Sequence, residues 1–159
     1  RDRSVSRGLG DVYKRQGMGG RLIADIVTKG MNVITRNTTL IVSPQSEVGD
    51  FRHFLVSQRL VVDDEKMLKE DGKYYFIIKC RKSDENVYSE YSETQYQYGW
   101  KLLENKDKTL YEYLIKEKET NDGISNSLKK DESNPTVKLR LQQLSQKNNI
   151  IMDALSYYD

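Results

Sequence analysis

One short run in this 159-residue chain places residue types where a reacting site would need them. It is Gly17-Met18-Gly19-Gly20, which opens directly into Arg21-Leu22-Ile23-Ala24-Asp25-Ile26-Val27. Glycines let a ligand approach the main chain closely. The first turn of a helix behind them offers unpaired N–H groups to whatever sits there. In an open α/β sheet such a turn stands at the carboxyl end of a strand, where ligands bind. The competing reading is a tight structural turn with no ligand. Few other residues suggest chemistry. Cys80 lies in a strand pattern and reads as a small buried hydrophobe rather than a nucleophile. The single His53 lies in the helix pattern Asp50-Phe51-Arg52-His53-Phe54-Leu55 and reads as a surface or interface residue. No zinc-ligand spacing, Ser-His-Asp set or P-loop is present, so no metal is expected.

The residues before the glycine turn read differently. Arg1–Gln16 shows no apolar periodicity, and Ser6-Arg7-Gly8-Leu9-Gly10-Asp11-Val12-Tyr13-Lys14-Arg15-Gln16 resembles the in-frame translation of a sequencing adapter. The expectation is that residues 1–16 take no part in the fold. The whole chain has 26 Lys+Arg against 24 Asp+Glu, and residues 1–16 hold five of the former and two of the latter. That leaves 21 against 22, a net of −1, for Gly17–Asp159. Bulk charge therefore does not argue for nucleic acid. A strand should precede the glycine turn, and on this reading it would lie upstream, making the chain the C-terminal part of a longer protein. No apolar run approaches a membrane span and no signal-peptide pattern is present. A single cysteine excludes an internal disulfide framework and is compatible with a cytoplasmic location.

These features need elements to position them. Leu22, Ile23, Ile26 and Val27 recur at helical spacing, and Gly30 closes the helix. Thr38-Thr39-Leu40-Ile41-Val42-Ser43 is a continuous β-branched and apolar run, as strands covered on both faces tend to be. Pro44-Gln45-Ser46 ends it in a turn, with Ser46 placed to cap the next helix. That helix takes its apolar face from Val48, Phe51, Phe54 and Leu55. Leu60–Leu68 begins a further strand, Glu70-Asp71-Gly72-Lys73 is a hairpin turn signal, and Tyr74–Cys80 is the return strand. The fold class is thus α/β, a parallel unit closed by an antiparallel pair, an order that resembles the C-terminal half of a Rossmann-like class I methyltransferase sheet. Lys82–Tyr98 carries Tyr88, Tyr91, Tyr96 and Tyr98, which either stack on bases or pack on the domain edge, the latter being preferred.

From Gly99 the pattern is helical, with Leu102, Leu103, Leu110, Tyr113 and Leu114 on one face. Residues 119–134 read as a mobile polar loop. Asn134-Pro135 restarts a helix with a cap and a proline in its first turn. Val137, Leu141, Leu144, Asn148, Ile151, Leu155 and Tyr158 then form a heptad seam with one polar position. An antiparallel coiled-coil hairpin and a coiled-coil homodimer both satisfy that seam. The expected division is 17–98 for the α/β part and 99–159 for the helical part.

Taken in order, these motifs resemble the bacterial tRNA (adenine-22-N1)-methyltransferase family. Gly17–Gly20 with its Leu-Ile-x-x-Ile helix resembles the family's run after strand four. Leu40–Ser46 resembles its fifth strand and turn, and Phe51-Arg52-x-Phe54-Leu55 the helix that follows. Glu70–Ile78 resembles its last hairpin. Tyr98-Gly99-x-x-Leu102-Leu103 resembles the start of its helical domain, with Trp100 where that family has proline.

The resemblance implies methyl transfer from S-adenosylmethionine to N1 of an adenine in tRNA. It implies that Gly17, Met18, Gly19 and Gly20 border the methyl donor and the incoming base, Gly17 and Met18 as the donor's contacts. Pro44, Gln45 and Ser46 would line the other side, Gln45 as a reader of the base or as a turn residue bonded to its own backbone. Lys129, Lys130, Lys138, Arg140 and Lys147 are the candidates for tRNA phosphates; a solvated mixed-charge surface is the alternative. The family's Asp-x-Gly-x-Asp-His donor loop would lie upstream of Gly17, so Gly17–Asp159 alone is expected to bind S-adenosylmethionine negligibly. Two other functions stay open: a non-catalytic RNA-binding or coiled-coil assembly module, and a nucleotide-dependent oxidoreductase, against which the antiparallel closure argues.

Overall fold

The computed structural model describes residues 5–8, 10–84 and 90–159. They form two compact units, 1–102 and 103–159. In the first, β1 (Val5–Gly8), β2 (Gly10–Met18), β3 (Thr39–Pro44), β4 (Leu60–Glu70) and β5 (Lys73–Lys82) make one sheet in the order β1-β2-β3-β5-β4. Only β2 and β3 are parallel; β5 turns back and inserts between β3 and β4. Helix α1 (Gly20–Lys29) follows β2 and α2 (Val48–Ser57) follows β3. The element order after the glycine turn is therefore the one the sequence pattern implies.

Residues 10–16 correct one expectation. Instead of standing outside the fold, they run through β2 and pair with β3 from Val12↔Thr39 to Arg15↔Val42. The physical reason is that ladder bonding uses the main chain. An extended segment tied to the glycine turn can satisfy the N–H and C=O groups of β3 whatever its side-chain pattern. Residues 1–4 and Leu9 lie outside the described residues.

The core gathers on one face of the sheet. Leu40 and Val42 of β3, Ile78 and Cys80 of β5 and Leu60 and Val62 of β4 pack with Ile23 and Val27 of α1 and Phe51 and Leu55 of α2. Thr39 and Ile41, on the other face of β3, are only half-buried, so that strand is not covered on both sides as its composition suggests. A register shift between Val62 and Asp64 changes the phase of β4. Beyond it Glu65 and Met67, rather than Asp64 and Lys66, turn inward; one extra residue in a strand has that effect.

Among the described residues of the tyrosine-rich stretch, Tyr91, Tyr96 and Tyr98 pack within the first unit. Helix α3 (Glu93–Tyr98) starts with a capping box between Ser92 and Gln95. Tyr91 stacks on Trp100 at 3.8 Å, Tyr96 meets both edge-on, and Tyr96 and Tyr98 are buried. This cluster keeps Trp100 with the first unit, so the division falls after Leu102 and not after Tyr98. Tyr88 lies outside the described residues.

Helix α4 (Trp100–Glu104) runs across that division and leads by a short turn to α5 (Lys108–Leu128), a 3-10 turn (Lys129–Asp131) and α6 (Pro135–Ser156) of the second unit. The expected mobile loop over 119–134 is corrected. Residues 119–128 continue α5, and only Glu132–Asn134 lie outside a helix. A polar helix is sustained here by pairs one turn apart, Tyr113 to Glu117 at 2.7 Å and Lys118 to Asp122 at 2.7 Å. It is also sustained by bonds to its neighbour: Asn121 donates to Asn148 (3.3 Å), and Asn148 donates to Asp122 (3.0 Å). The Lys118 hydrogen bond in turn holds the Asp122 carboxyl below its ordinary range. The one polar position of the seam is thus satisfied within the chain. Leu144 and Ile151 of the seam are buried, whereas Val137, Leu141 and Leu155 are half-buried.

Just after α6 the Tyr158 hydroxyl donates to the carbonyl of Asp107, the residue that caps α5, at 2.6 Å. Burial, aided by the Asp107 charge, pushes the phenol up to about 12. A proton held more tightly in the folded state supports folding below the unfolded pKa of about 10. That support is lost as pH rises from there through about 12. Tyr158→Phe is therefore expected to melt with a shallower alkaline decline than the parent, read by circular dichroism at 222 nm across pH 9–12. Parallel curves would refute the assignment.

Candidate active site

The carboxyl ends of β2 and β3 lie side by side, and the turns that leave them are stitched together. Gln45 N–H donates to the Met18 carbonyl at 2.8 Å, and Gly20 N–H donates to the Ser46 carbonyl at 2.8 Å. Met18 faces Pro44 in the ladder. The structure therefore brings the glycine run and Pro44-Gln45-Ser46 into one place. The reason for glycine is close approach, not an unusual backbone: Gly19 is extended, with φ −67 and ψ 156. A Cβ on Gly19 would meet the Ser46 hydroxyl oxygen at 2.6 Å, and one on Gly20 would meet the Glu47 carbonyl oxygen at 2.7 Å and Phe51 Cβ at 3.0 Å.

Two local expectations change. Ser46 does not cap α2; the capping position is Glu47, in the left-handed region with φ 53 and ψ 39 and no side-chain cap bond. The Gln45 amide donates to the carbonyl of Ser43 at 3.2 Å, so its side chain is bonded to its own turn. Gln45, Ser46 and Glu47 are exposed, whereas Pro44 is buried. A cleft of about 310 Å³ opens next to these turns, lined by Gly20, Arg21, Ala24, Glu47, Asp50 and Phe51. Asp50 stands in the first turn of α2, where the sequence pattern puts it, whereas Glu47 carries no signal in the sequence although it is three residues from Pro44.

Lys129, Lys130, Lys138 and Arg140 belong to another part of the chain. They lie in the second unit, at the 3-10 turn and in the first turns of α6, all exposed, as is Lys147. The readings of Cys80 and His53 hold. Cys80 is fully buried, and burial pushes its thiol up to about 12. His53 is half-exposed, stacked on Tyr96 at 3.5 Å. Among the described residues no three His, Cys, Asp or Glu side chains gather as metal ligands would. No helix among them is long and apolar enough to cross a membrane.

Sequence reasoning missed the buried pair behind the site. Arg52 Nε donates to Glu65 Oε1 at 2.9 Å, with both side chains essentially inaccessible. Arg52 Nη1 also donates to the carbonyls of Tyr96 and Gln97, each at 2.8 Å. Burial raises the Glu65 carboxyl above its ordinary range, opposed by the Arg52 charge. The signal available was a charged residue flanked by core positions, Arg52 after Phe51 and Glu65 between Val62 and Met67.

Comparison with known proteins places this arrangement. The family model for tRNA (adenine(22)-N(1))-methyltransferase matches residues 9–152. The curated tRNA (adenine(22)-N(1))-methyltransferase of Bacillus subtilis (strain 168) is 32% identical over 83 residues, 52% of this chain and 35% of that protein. A Streptococcus pneumoniae protein described as a candidate tRNA (m1A22) methyltransferase has a crystal structure 26% identical, with a TM-score of 0.75, covering 91% of this chain and 61% of that one. Its complex with S-adenosyl-L-methionine aligns with a TM-score of 0.69 at 24% identity, over 91% and 59%. The chain thus spans about a third of the length of the curated relative it matches. Over the residues from Leu9 to Met152 the chain belongs to the tRNA (adenine(22)-N(1))-methyltransferase family.

Proposed function

We propose that the protein transfers a methyl group from S-adenosylmethionine to N1 of an adenine in tRNA, in the cytoplasm. The family match over residues 9–152 carries this reading. The joining of the glycine turn to the Pro44–Ser46 turn at the ends of β2 and β3 supports it. S-adenosylmethionine supplies an electrophilic methyl group on a sulfonium. Gly17 and Met18 would border it, a role that the half-exposed Met18-Gly19 turn fits. Adenine N1 is unprotonated at neutral pH and already nucleophilic, so the protein need not supply a strong base. Its work is placement and exclusion of water. N1 lies on the pairing edge, so the base must leave its stack to react. Pro44 and Ser46 would wall the base's side of the turn, while Gln45 holds the turn through Ser43 and offers the base what remains of its amide.

The helices α5 and α6 would form the coiled-coil hairpin that grips the tRNA body, through Lys129, Lys130, Lys138 and Arg140. Incubating the intact protein with tRNA and methyl donor should produce a reverse-transcriptase stop at the target adenine, because an N1 methyl blocks pairing. Absence of that stop at any adenine would overturn the reading. Replacing the four basic residues with alanine is expected to flatten the salt dependence of tRNA binding. The log–log slope should fall by about 0.7–0.9 for each phosphate that no longer has a cation beside it. Filter binding across a KCl series reads it, and an unchanged slope would return these side chains to the solvated surface.

A further inference from the structure

Among the described residues, four non-glycine positions have a positive φ: Glu47, Arg59, Asp71 and Lys106. Three have ordinary reasons. Arg59 and Lys106 follow helix ends and donate their N–H groups back to Val56 and Leu103, and Asp71 is in the β4–β5 hairpin turn. Such positions commonly take the left-handed conformation. Glu47 stands ahead of a helix instead. At that position Gly19, Ser92 and Asn134 are extended, with ψ of 156, 161 and 124. The consequence is visible in the side chain: Glu47 Oε1 lies 3.6 Å from where a Cβ of Gly19 would stand. The carboxylate is carried over the glycine turn, at the edge of the 310 Å³ cleft. Among the described residues no cation pairs with it, although Arg21 lines the same cleft, and it caps no helix N–H. Asp50, the other acid of the cleft, has a structural role available in the first turn of α2, where a negative charge complements the helix dipole.

The proposed reaction has a charge requirement that such a group would meet. The N1 lone pair forms a bond to the methyl carbon, the carbon–sulfur bond breaks, and its electron pair stays on sulfur. The sulfonium becomes a neutral thioether. Its positive charge passes to the adenine, spread over N1, C6 and the N6 amino group, and no proton leaves in the step. A carboxylate beside the N6 amino group would bind the product cation better than the neutral base, and so would lower the barrier between them. Adenine N6 offers hydrogens, and an ionised carboxylate only accepts. We propose that Glu47 is a positioning residue for the target base: its carboxylate accepts a hydrogen bond from adenine N6–H and stabilises the charge that arrives with the methyl group. The proposal rests on the methyltransferase reading above.

The test compares the intact protein with its Glu47→Gln variant, which keeps shape and removes charge. Binding to tRNA with adenine, and to the same tRNA with N1-methyladenine, is measured without methyl donor. Glu47→Gln should weaken binding of the methylated tRNA about tenfold, the difference between a charge-assisted and a neutral hydrogen bond, and leave the unmodified tRNA nearly unchanged. Asp50→Asn should leave the ratio of the two affinities as it was. Glu47→Gly should raise the melting temperature, since glycine accepts φ 53 without strain, yet lower methylation. Equal affinity of parent and Glu47→Gln for the methylated tRNA would overturn the proposal, as would a loss of preference in Asp50→Asn instead. A parent protein that methylates tRNA while Glu47→Gln keeps its full rate would overturn it alone; a parent that methylates no tRNA would overturn the methyltransferase reading with it.

Discussion

Arg52→Met is expected to cost the first unit about 3–5 kcal/mol, because it leaves a carboxylate buried without its partner. Glu65 is 3% exposed and its Oε1 has Arg52 Nε at 2.9 Å. The substitution also strips the carbonyls of Tyr96 and Gln97 of their donor. Gly99 crowds one side of the pair. Its backbone, at φ 93, packs so tightly on Glu65 Oε2 that a Cβ there would overlap it. The pair already has one unpartnered atom on each side, Arg52 Nη2 and Glu65 Oε2.

Arg52→Met with Glu65→Leu should recover much of the loss, since an apolar pair of similar volume removes the buried charge together with its partner. Urea denaturation of the parent and the two variants measures this. A double variant no better than the single one would mean that the carbonyl bonds, not the ion pair, are what Arg52 supplies. The single variant should also depend on pH. Burial raises the Glu65 carboxyl above 4.5 in the folded state, and Arg52 no longer opposes it. A raised carboxyl favours folding below the unfolded value and loses that support as pH rises through the folded one. The deficit of Arg52→Met should therefore be smallest below pH 4.5 and grow toward neutrality.

The second large effect separates two glycines that look alike in the sequence. Gly19→Val in the intact protein is expected to abolish methylation without unfolding it. The atom its Cβ meets is the Ser46 hydroxyl, the end of an exposed side chain that can rotate away. The extended backbone of Gly19 also suits a β-branched residue. On the proposed function, what valine would change is the surface offered to donor and base. Gly20→Val is a different lesion. Its Cβ meets two backbone carbonyls and Phe51 Cβ, none of which can turn aside, so the stitch between the two turns must open. Gly20→Val should lose fold and activity together, and Gly19→Val activity alone. Thermal melting beside a methylation assay distinguishes them, and normal turnover by Gly19→Val would remove the glycine turn from the site.

The elements after the glycine turn were legible because local rules agree there. Helical spacing from Leu22 to Val27 with Gly30 behind it, the apolar run before Pro44 and the Asp71-Gly72 turn each specify their own segment. Asn134-Pro135 began a helix as its cap chemistry requires, with Asn134 accepting from Thr136 N–H at 2.9 Å. Where local signals were weak, neighbours decided. Residues 119–128 are helical because Asn148 and the pairs on α5 supply what propensity alone does not. Residues 10–16 form a strand because β3 offers them a ladder.

The same division runs through the candidate site. Its glycines and its Pro44 turn can be read off the chain, since turns are set by a few adjacent residues. Their junction cannot, because it is made of main-chain bonds between segments more than 25 residues apart, blind to side-chain identity. Nor can the inward turn of Glu65 beyond the β4 register shift, or the left-handed backbone that lays Glu47 over Gly19. Residue type and spacing determined which elements form, through short-range sterics and periodic burial. Only the tertiary structure decided which charges are buried and which face the cleft, because that depends on what the rest of the chain leaves beside them.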